Sequence, residues 1–280
     1  MKISIIADIH HGDRSLTCQD LRDPDWPVLS AVESFVERAM SERPDVLLDL
    51  GDRIADSDHG GDYRHASELA AIFARFPGER MHLLGNHDVV NLSQTENEAI
   101  FATSCQSRAV DLGGARLIAW QPGVVFDYED GSFAPASSHL DWLLQTLLDD
   151  DRPAIIATHV SLAGRAQTGN YYHHHAPSYS IYPDHVMIRE AVERTGRAAV
   201  WLAGHSHWNT VTTIGNIQHI TIQSLTERFT TYPDTAGAYA DLIVDGGQFS
   251  LEVFGNDPFQ IRLPFRKSGD RPWVTPITRG

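Results

Sequence analysis

The sequence predicts a layered α/β fold built as one domain. Three observations carry this reading. Short, near-continuous apolar runs recur along the chain. Helical periodicities lie between several of them, and beyond about residue 208 the pattern turns to strands. With 280 residues, the chain can bury a sizeable core without disulfide or metal staples.

Ile3 to Ala7 opens the series, with the β-branched, near-continuous apolar character of a strand buried on both faces. Val28, Val32, Phe35, Val36 and Ala39 then mark one face of a helix. Val46 to Leu50 and Met81 to Leu84 read as the second and third strands. Leu140, Leu143, Leu144 and Leu147 mark another helix face, with Ser138 and Asp141 at capping-box spacing ahead of it. Ala154 to Ala157 gives a fourth strand, 184–194 a helix and Ala198 to Ala203 a fifth strand. Residues 209–214, 217–222, 239–245 and 248–254 close the set, with Gly215-Asn216 and Gly246-Gly247 as turns. The domain is expected to span 1–255. The tail from 256 to 280 carries Pro258, Pro264, Pro272 and Pro276 with several arginines, and is expected to be an extended arm, lying on the acidic body or serving a homo-oligomer.

Composition narrows function. Lysine and arginine total 22 against 37 aspartates and glutamates, a formal charge of −15. That balance disfavours a nucleic-acid polymer or an anionic membrane as partner. Two cysteines, Cys18 and Cys105, lack the spacing of a thiolate metal site or a disulfide framework. No apolar run approaches membrane-spanning length, and the first residues do not read as a secretory leader. A cytoplasmic protein is the expectation. Histidine, at 15 copies, is the unusual entry.

Five of these histidines fall in motifs placed directly after predicted strands. Asp8-Ile9-His10, Gly51-Asp52, Gly85-Asn86-His87-Asp88, His159 and Gly204-His205-Ser206-His207 each follow one. The carboxyl ends of strands in open α/β sheets are where ligands collect, so these loops can converge. Carboxylates, imidazoles and an amide suit Mn, Fe, Zn or Co. Each piece is common alone, and the ordered set is what points to a metal centre.

The order D-x-H, G-D, G-N-H-D, H, G-H-x-H resembles the calcineurin-like metallophosphoesterase family over residues 8 to 207. The resemblance implies a four-layer α-β-β-α sandwich with two mixed sheets flanked by helices and two metal ions at one edge. It implies Asp8, His10 and His207 on one ion, Asn86, His159 and His205 on the other, and Asp52 between them. His87 would face the substrate, with Asp88 orienting it. A hydroxide held between two metals could attack phosphorus, and two divalent ions over two carboxylates leave the pocket positive on an acidic protein. His87 could stabilise the transition state or protonate the leaving oxygen. Asp88 could equally cap the following turn, and Arg53 could clamp a phosphate or make a structural ion pair.

The family's protein phosphatases carry Asp-Arg-Gly after the G-D motif and end the next motif in Glu. This chain has Arg53-Ile54-Ala55-Asp56 and Asp88 there, and no tyrosine at the position purple acid phosphatases use for iron. The layout looks more like compact bacterial class III phosphodiesterases, which act on cyclic nucleotides and glycerophosphodiesters. A hydrolase of small phosphodiesters is expected. A phosphomonoesterase or nucleotide pyrophosphatase on the same site, or a non-catalytic binding protein of this fold, is the alternative. Residues 169–183, with Tyr172, His173 and His174, are the candidate substrate loop, against a polar surface loop or subunit interface.

Overall fold

The computed structural model describes residues 1–12, 21–164 and 168–265. Its elements alternate as the apolar runs suggest. They are β1 (Lys2–Ile6), α1 (Val28–Glu42), β2 (Val46–Asp49), α2 (His59–Phe73), β3 (Glu79–His82) and α3 (Gln94–Phe101). Next come β4 (Arg108–Asp111), β5 (Arg116–Ala119), the hairpin strands β6 (Phe126–Asp127) and β7 (Ser132–Phe133), and α4 (Leu140–Leu148). Then follow β8 (Ala154–Thr158), α5 (His185–Thr195) and β9 (Ala198–Ala203). The last five are β10 (Thr210–Ile214), β11 (Ile217–Thr221), β12 (Tyr239–Asp245), β13 (Gln248–Phe254) and β14 (Phe259–Pro264).

Two six-stranded mixed sheets result. One runs β14-β13-β12-β1-β2-β3 and the other β10-β11-β9-β8-β5-β4. In the first, β1, β2 and β3 are parallel, and in the second β5, β8, β9 and β11 are. The strand period of two divides their side chains. Ile3, Ile5, Val46 and Leu48 meet Leu117, Ile155, Val200 and Leu202 between the sheets. Ile6 and Leu47 face outward onto Val32, Phe35, Leu69 and Phe73 of α1 and α2. Ile118, Ile156 and Trp201 face outward onto Leu143, Leu147, Ile188 and Val192 of α4 and α5. Strands buried on both faces lose the polar-apolar alternation of a half-exposed sheet. The layers are therefore α-β-β-α.

Two local expectations are corrected. The Ser138/Asp141 capping box does not form. His139 is the N-cap of α4 and makes no side-chain cap bond, because a short 3₁₀ turn over Ala136–His139 leads in instead. The true capping box is at α3, where the Ser93 hydroxyl accepts from the Glu96 amide and the Glu96 carboxylate accepts from the Ser93 amide. The tail expected to be an arm from 256 onward contributes β14, paired antiparallel to β13 from Phe259 to Pro264. Phe259, Ile261 and Leu263 pack on the inter-sheet core, and the proline falls at the strand's end, on an edge, where it is tolerated. The rest of the tail, 266–280, and Cys18 lie outside the described residues.

Candidate metal centre

The sheets place the sequence motifs together, because β1, β2, β3, β8 and β9 all end at one edge. The turns there are unusual. Among the described residues, seven non-glycine residues have positive φ, and five of them are Asp8, His10, Asp52, His205 and His207. The other two, Arg43 and Ala102, are helix C-caps. A left-handed side-chain-bearing residue costs roughly 1 kcal/mol or more, so such a cluster persists only where surrounding bonds over-determine it. Those bonds are present. The amides of Asp8, His10 and His11 donate to the carbonyls of Gly51, Asp52 and Arg53 at 3.0, 3.0 and 2.8 Å. The hydroxyls of Ser224 and Thr226 donate to the carbonyls of Asp8 and Ile9 at 2.6 and 3.1 Å. Two glycines are fixed by this crowding. A Cβ on Gly85 would collide with the Asp52 carboxylate. On Gly51, at φ 97°, it would lie 2.6 Å from the Gly85 nitrogen.

The ligand-capable atoms fall into two buried groups that share one residue. Atoms of Asp8, His10, Asp52 and His207 lie within 4.8 Å of one another, and so do atoms of Asp52, His159 and His205. Nε2 of His10 and Nε2 of His207 are 3.0 Å apart. Asp52 Oδ2 is 3.8 Å from His10 Nε2 and 3.3 Å from His159 Nε2. Asn86 Oδ1 joins the second group, 3.3 Å from His159 Nε2. Asp52 Oδ1 accepts the His87 amide at 2.9 Å, whereas its Oδ2 is buried with no hydrogen-bond partner. An orphaned carboxylate oxygen between two imidazole groups fits a cation on either side of it far better than an apolar packing role.

Two of the ligand imidazoles are neutral, and two are held protonated by the carboxylates beside them. Burial pulls His10 and His205 well below the ordinary imidazole range, leaving neutral rings with free lone pairs. His159 is pushed up to about 9: burial opposes it, but Asp52 prevails. His207 is likewise raised to about 9 against burial, by Asp8 and Glu227. Asp52, although buried, is held well below the carboxylate range chiefly by His159 and His87. Carboxylates that hold protons on neighbouring imidazoles will exchange them for a divalent cation. Carboxylate, imidazole and amide donors without thiolate suit borderline-hard ions.

Residues 1–209 match the model of the calcineurin-like phosphoesterase family. The chain belongs to that family. Solved structures agree in fold. A dimetal phosphatase from Danio rerio superposes with a TM-score of 0.75 at 14% identity, covering 95% of this chain and 99% of that one. Purple acid phosphatase PPD1 from yellow lupin seeds gives 0.67 at 12% identity, covering 94% of this chain and 53% of that one. GAP50, described as the anchor in the inner membrane complex of Plasmodium, gives 0.60 at 10% identity, covering 95% and 89%. No curated protein sequence matches the chain.

Within this phosphoesterase, two expected roles are corrected. Arg53 does not reach the pocket as a phosphate clamp. It is fully buried, with NH1 donating to Asp49 Oδ2 and the Leu83 carbonyl at 3.1 Å each, and NH2 donating to Asn97 Oδ1 at 3.1 Å. Its guanidinium carbon lies 4.3 Å from the Phe101 ring centroid. Asp88 does not orient His87. Its carboxylate accepts the amides of Asp52, Arg53 and Gly85 at 2.9 Å each, tying the Asp52 loop to the Gly85 loop. Arg53→Met should therefore destabilise the fold by about 3–5 kcal/mol, because Asp49 and Asp88 would be left buried against an uncharged neighbour. Denaturant titration measures this. An unchanged midpoint with a raised KM would instead restore the clamp.

The residue that does meet His87 is Asp56, in close contact with His87 Nδ1. Burial lowers the His87 pKa, but the charge of Asp52 and the bond to Asp56 more than offset it and leave it raised. Of the expected substrate residues, Tyr172 and His173 line the pocket and His174 does not. The His174 ring accepts the Gly169 amide at 3.0 Å and sits against His175, on the exposed side of its loop. Sequence reasoning also passed over Glu227. Its carboxylate accepts from Arg22 Nε at 2.5 Å and the Tyr172 hydroxyl at 2.8 Å, and lies 3.3 Å from His207 Nδ1. It is thus the outer partner that sets the orientation of His207. Arg22, Asp56, Phe126, Tyr128 and Tyr179 complete the pocket wall. Tyr179 lies in the 169–183 loop expected to meet the substrate; the other four sit in no motif, and the fold alone brings them in.

Proposed function

We propose that this phosphoesterase is a binuclear metal-dependent hydrolase of small phosphodiesters. The observation that carries it is the single buried carboxylate, Asp52, shared by two ligand groups with one oxygen unsatisfied. In this reading Asp8, His10 and His207 would hold one ion, Asn86, His159 and His205 would hold the other, and Asp52 would serve both. Two such ions, when bound, supply Lewis-acid charge to the phosphoryl oxygens and render water nucleophilic at neutral pH. Mn, Fe, Zn and Co all suit the donors. His87 stands off the ligand groups at the pocket wall, where it can stabilise the departing oxygen or give it a proton. Glu227 and the Leu50 carbonyl, which is 2.8 Å from His159 Nδ1, hold the ligand rings from behind.

The lining supports a diester over a monoester. The cavity is about 400 Å³ and is walled largely by aromatic rings. Among the described residues, Arg22 is its one arginine, and it is paired with Glu227. A monoester dianion calls for cations beyond the metals, whereas a diester monoanion carries less charge and a second carbon group that needs apolar cover. Among the described residues no helix is long and apolar enough to cross a membrane. The acidic composition supports a small substrate rather than a nucleic-acid polymer.

Chelator-stripped protein should lose hydrolysis of bis(4-nitrophenyl) phosphate and regain it with Mn²⁺ at two ions per chain. It should favour the diester over 4-nitrophenyl phosphate. Full activity at one ion per chain would overturn the two-metal reading. A preference for the monoester would move the chain to the phosphomonoesterases, and inactivity on every ester would favour a binding protein.

A further inference from the structure

One wall of the pocket is built by a segment that none of the metal motifs contains. The β6–β7 hairpin projects Phe126 and Tyr128 to the pocket, and the short turn over Pro177–Ser180 brings Tyr179 beside them. The three rings form a corner. Phe126 meets Tyr128 edge-on at 5.0 Å between centroids and Tyr179 at 4.9 Å with a 59° tilt. Each is anchored from behind. Phe126 packs on the buried Phe133 at 5.0 Å. A Cβ on Gly131 in the hairpin turn would lie 2.8 Å from the Tyr179 ring. Asp127 Oδ1 accepts the amides of Glu129 and Asp130 at 2.8 and 3.1 Å, holding the turn that carries Tyr128. The Tyr179 carbonyl is 2.8 Å from His205 Nε2, so this corner is joined to the second ligand group.

Tyr128 is 70% exposed and Tyr179 38% exposed. With Phe126 they form one contiguous aromatic surface beside the ligand groups, and a contiguous apolar patch, unlike a lone exposed ring, marks a ligand-binding surface. The chemistry of the wall narrows the ligand. Among the described residues, the polar groups of the lining are the ligand residues, His87 with its partner Asp56, Arg22 paired with Glu227, and His173, while Phe126, Tyr128 and Tyr179 present rings away from them. A flat ring would find edge and face contacts at the geometry aromatic groups prefer.

We propose that Phe126, Tyr128 and Tyr179 form a subsite for a flat aromatic ester group of the substrate. This rests on the phosphoester-hydrolase reading above and names the substrate class for it. The aromatic group is either a simple aryl ring or a nucleobase, and both stack by the same contacts.

Binding of monoanionic methylphosphonate esters, each confirmed by ³¹P NMR to stay intact over the titration, tests the subsite apart from turnover. O-phenyl methylphosphonate, O-ethyl methylphosphonate and the thymidine 5′-ester of methylphosphonate are titrated calorimetrically into Mn²⁺-loaded protein. The phenyl ester should bind at least about five-fold more tightly than the ethyl ester. Tyr128→Ala should erase that preference and Tyr128→Phe should retain it. Tyr128 is exposed, so neither variant threatens the fold. Tighter binding of the thymidine ester than the phenyl ester identifies a nucleobase, and the reverse order identifies a simple aryl group. Equal affinity for the phenyl and ethyl esters, or a preference that survives in Tyr128→Ala, overturns the subsite. If the preference follows Tyr128 in a protein that hydrolyses no diester, the subsite stands and the phosphodiesterase reading falls.

Discussion

Asp52→Asn should remove both metal ions together and lower turnover by at least about 10³-fold. The change is nearly isosteric. Asp52 Oδ1 accepts the His87 amide at 2.9 Å, and an asparagine oxygen can keep that bond, so the loop holds its shape. What disappears is the charge at Oδ2, the oxygen that lies toward both His10 and His159. Each ligand group would then face a second cation across a neutral amide. Two like charges at close range need an anionic bridge, and the loss of several kcal/mol of charge stabilisation corresponds to three or more decades in rate. Elemental analysis and kcat on the same preparation check it. Loss of one ion only, with most activity retained, would show that Asp52 serves a single metal. Two ions with unchanged turnover would remove it from the centre altogether.

The centre was legible because its parts lie in short, contiguous pieces at strand ends. A buried parallel strand has to leave the sheet in a turn, and Gly51 with Asp52, or Gly204 with His205, announces that turn and the side chain it presents. The four layers were legible for a related reason. Strands such as β8 and β9 run almost wholly apolar only when both faces are covered, and that requires a second sheet on one side and helices on the other. What escaped were features decided by direction and by distance along the chain. Arg53 follows Asp52 directly, but its side chain leaves the turn away from the pocket and enters the layer beneath α3. His87 and Asp88 are neighbours in a 3₁₀ turn, where consecutive side chains diverge, so Asp88 cannot serve His87. Asp56, Glu227 and Tyr128 reach the site from separate segments through tertiary packing. No local pattern marks them.

The left-handed backbone at Asp8, His10, Asp52, His205 and His207 shows why local rules fail there for a physical reason. Outside glycine, positive φ is uncommon; Asn, Asp and His are the residues enriched there, and five such residues gathered at one sheet edge exceed what local preference supplies. Bonds to Gly51, Asp52 and Ser224 hold Asp8 and His10, the Asp88 carboxylate holds the Asp52 amide, and the Asp8 carboxylate holds the His205 amide, so the turns support one another. Strain at such positions marks a site more sharply than sequence motifs do, and it becomes visible only once the two sheets are assembled.

His87→Ala should leave both ions bound and cut turnover by about 10²–10⁴-fold on diesters with alkyl leaving groups. None of the bonds that hold the ligand residues runs through the His87 side chain, so metal content is insulated from the change. The ring lines the pocket with its Nδ1 engaged by Asp56, which leaves Nε2 as the nitrogen available to a substrate oxygen. That geometry predicts a dependence on the leaving group. An alkoxide needs a proton as it departs, whereas 4-nitrophenolate leaves readily without one. The loss on bis(4-nitrophenyl) phosphate should therefore be about ten-fold or less, from lost charge stabilisation alone. Asp56→Asn should show the same pattern with a smaller loss, since it disturbs the tautomer and aim of His87 and leaves the ring in place. Parallel kcat measurements on alkyl and nitrophenyl diesters, with metal content determined for each variant, separate the possibilities. Equal losses on both substrates would make His87 a stabiliser of phosphoryl charge that donates no proton, and unchanged turnover on both would remove it from catalysis.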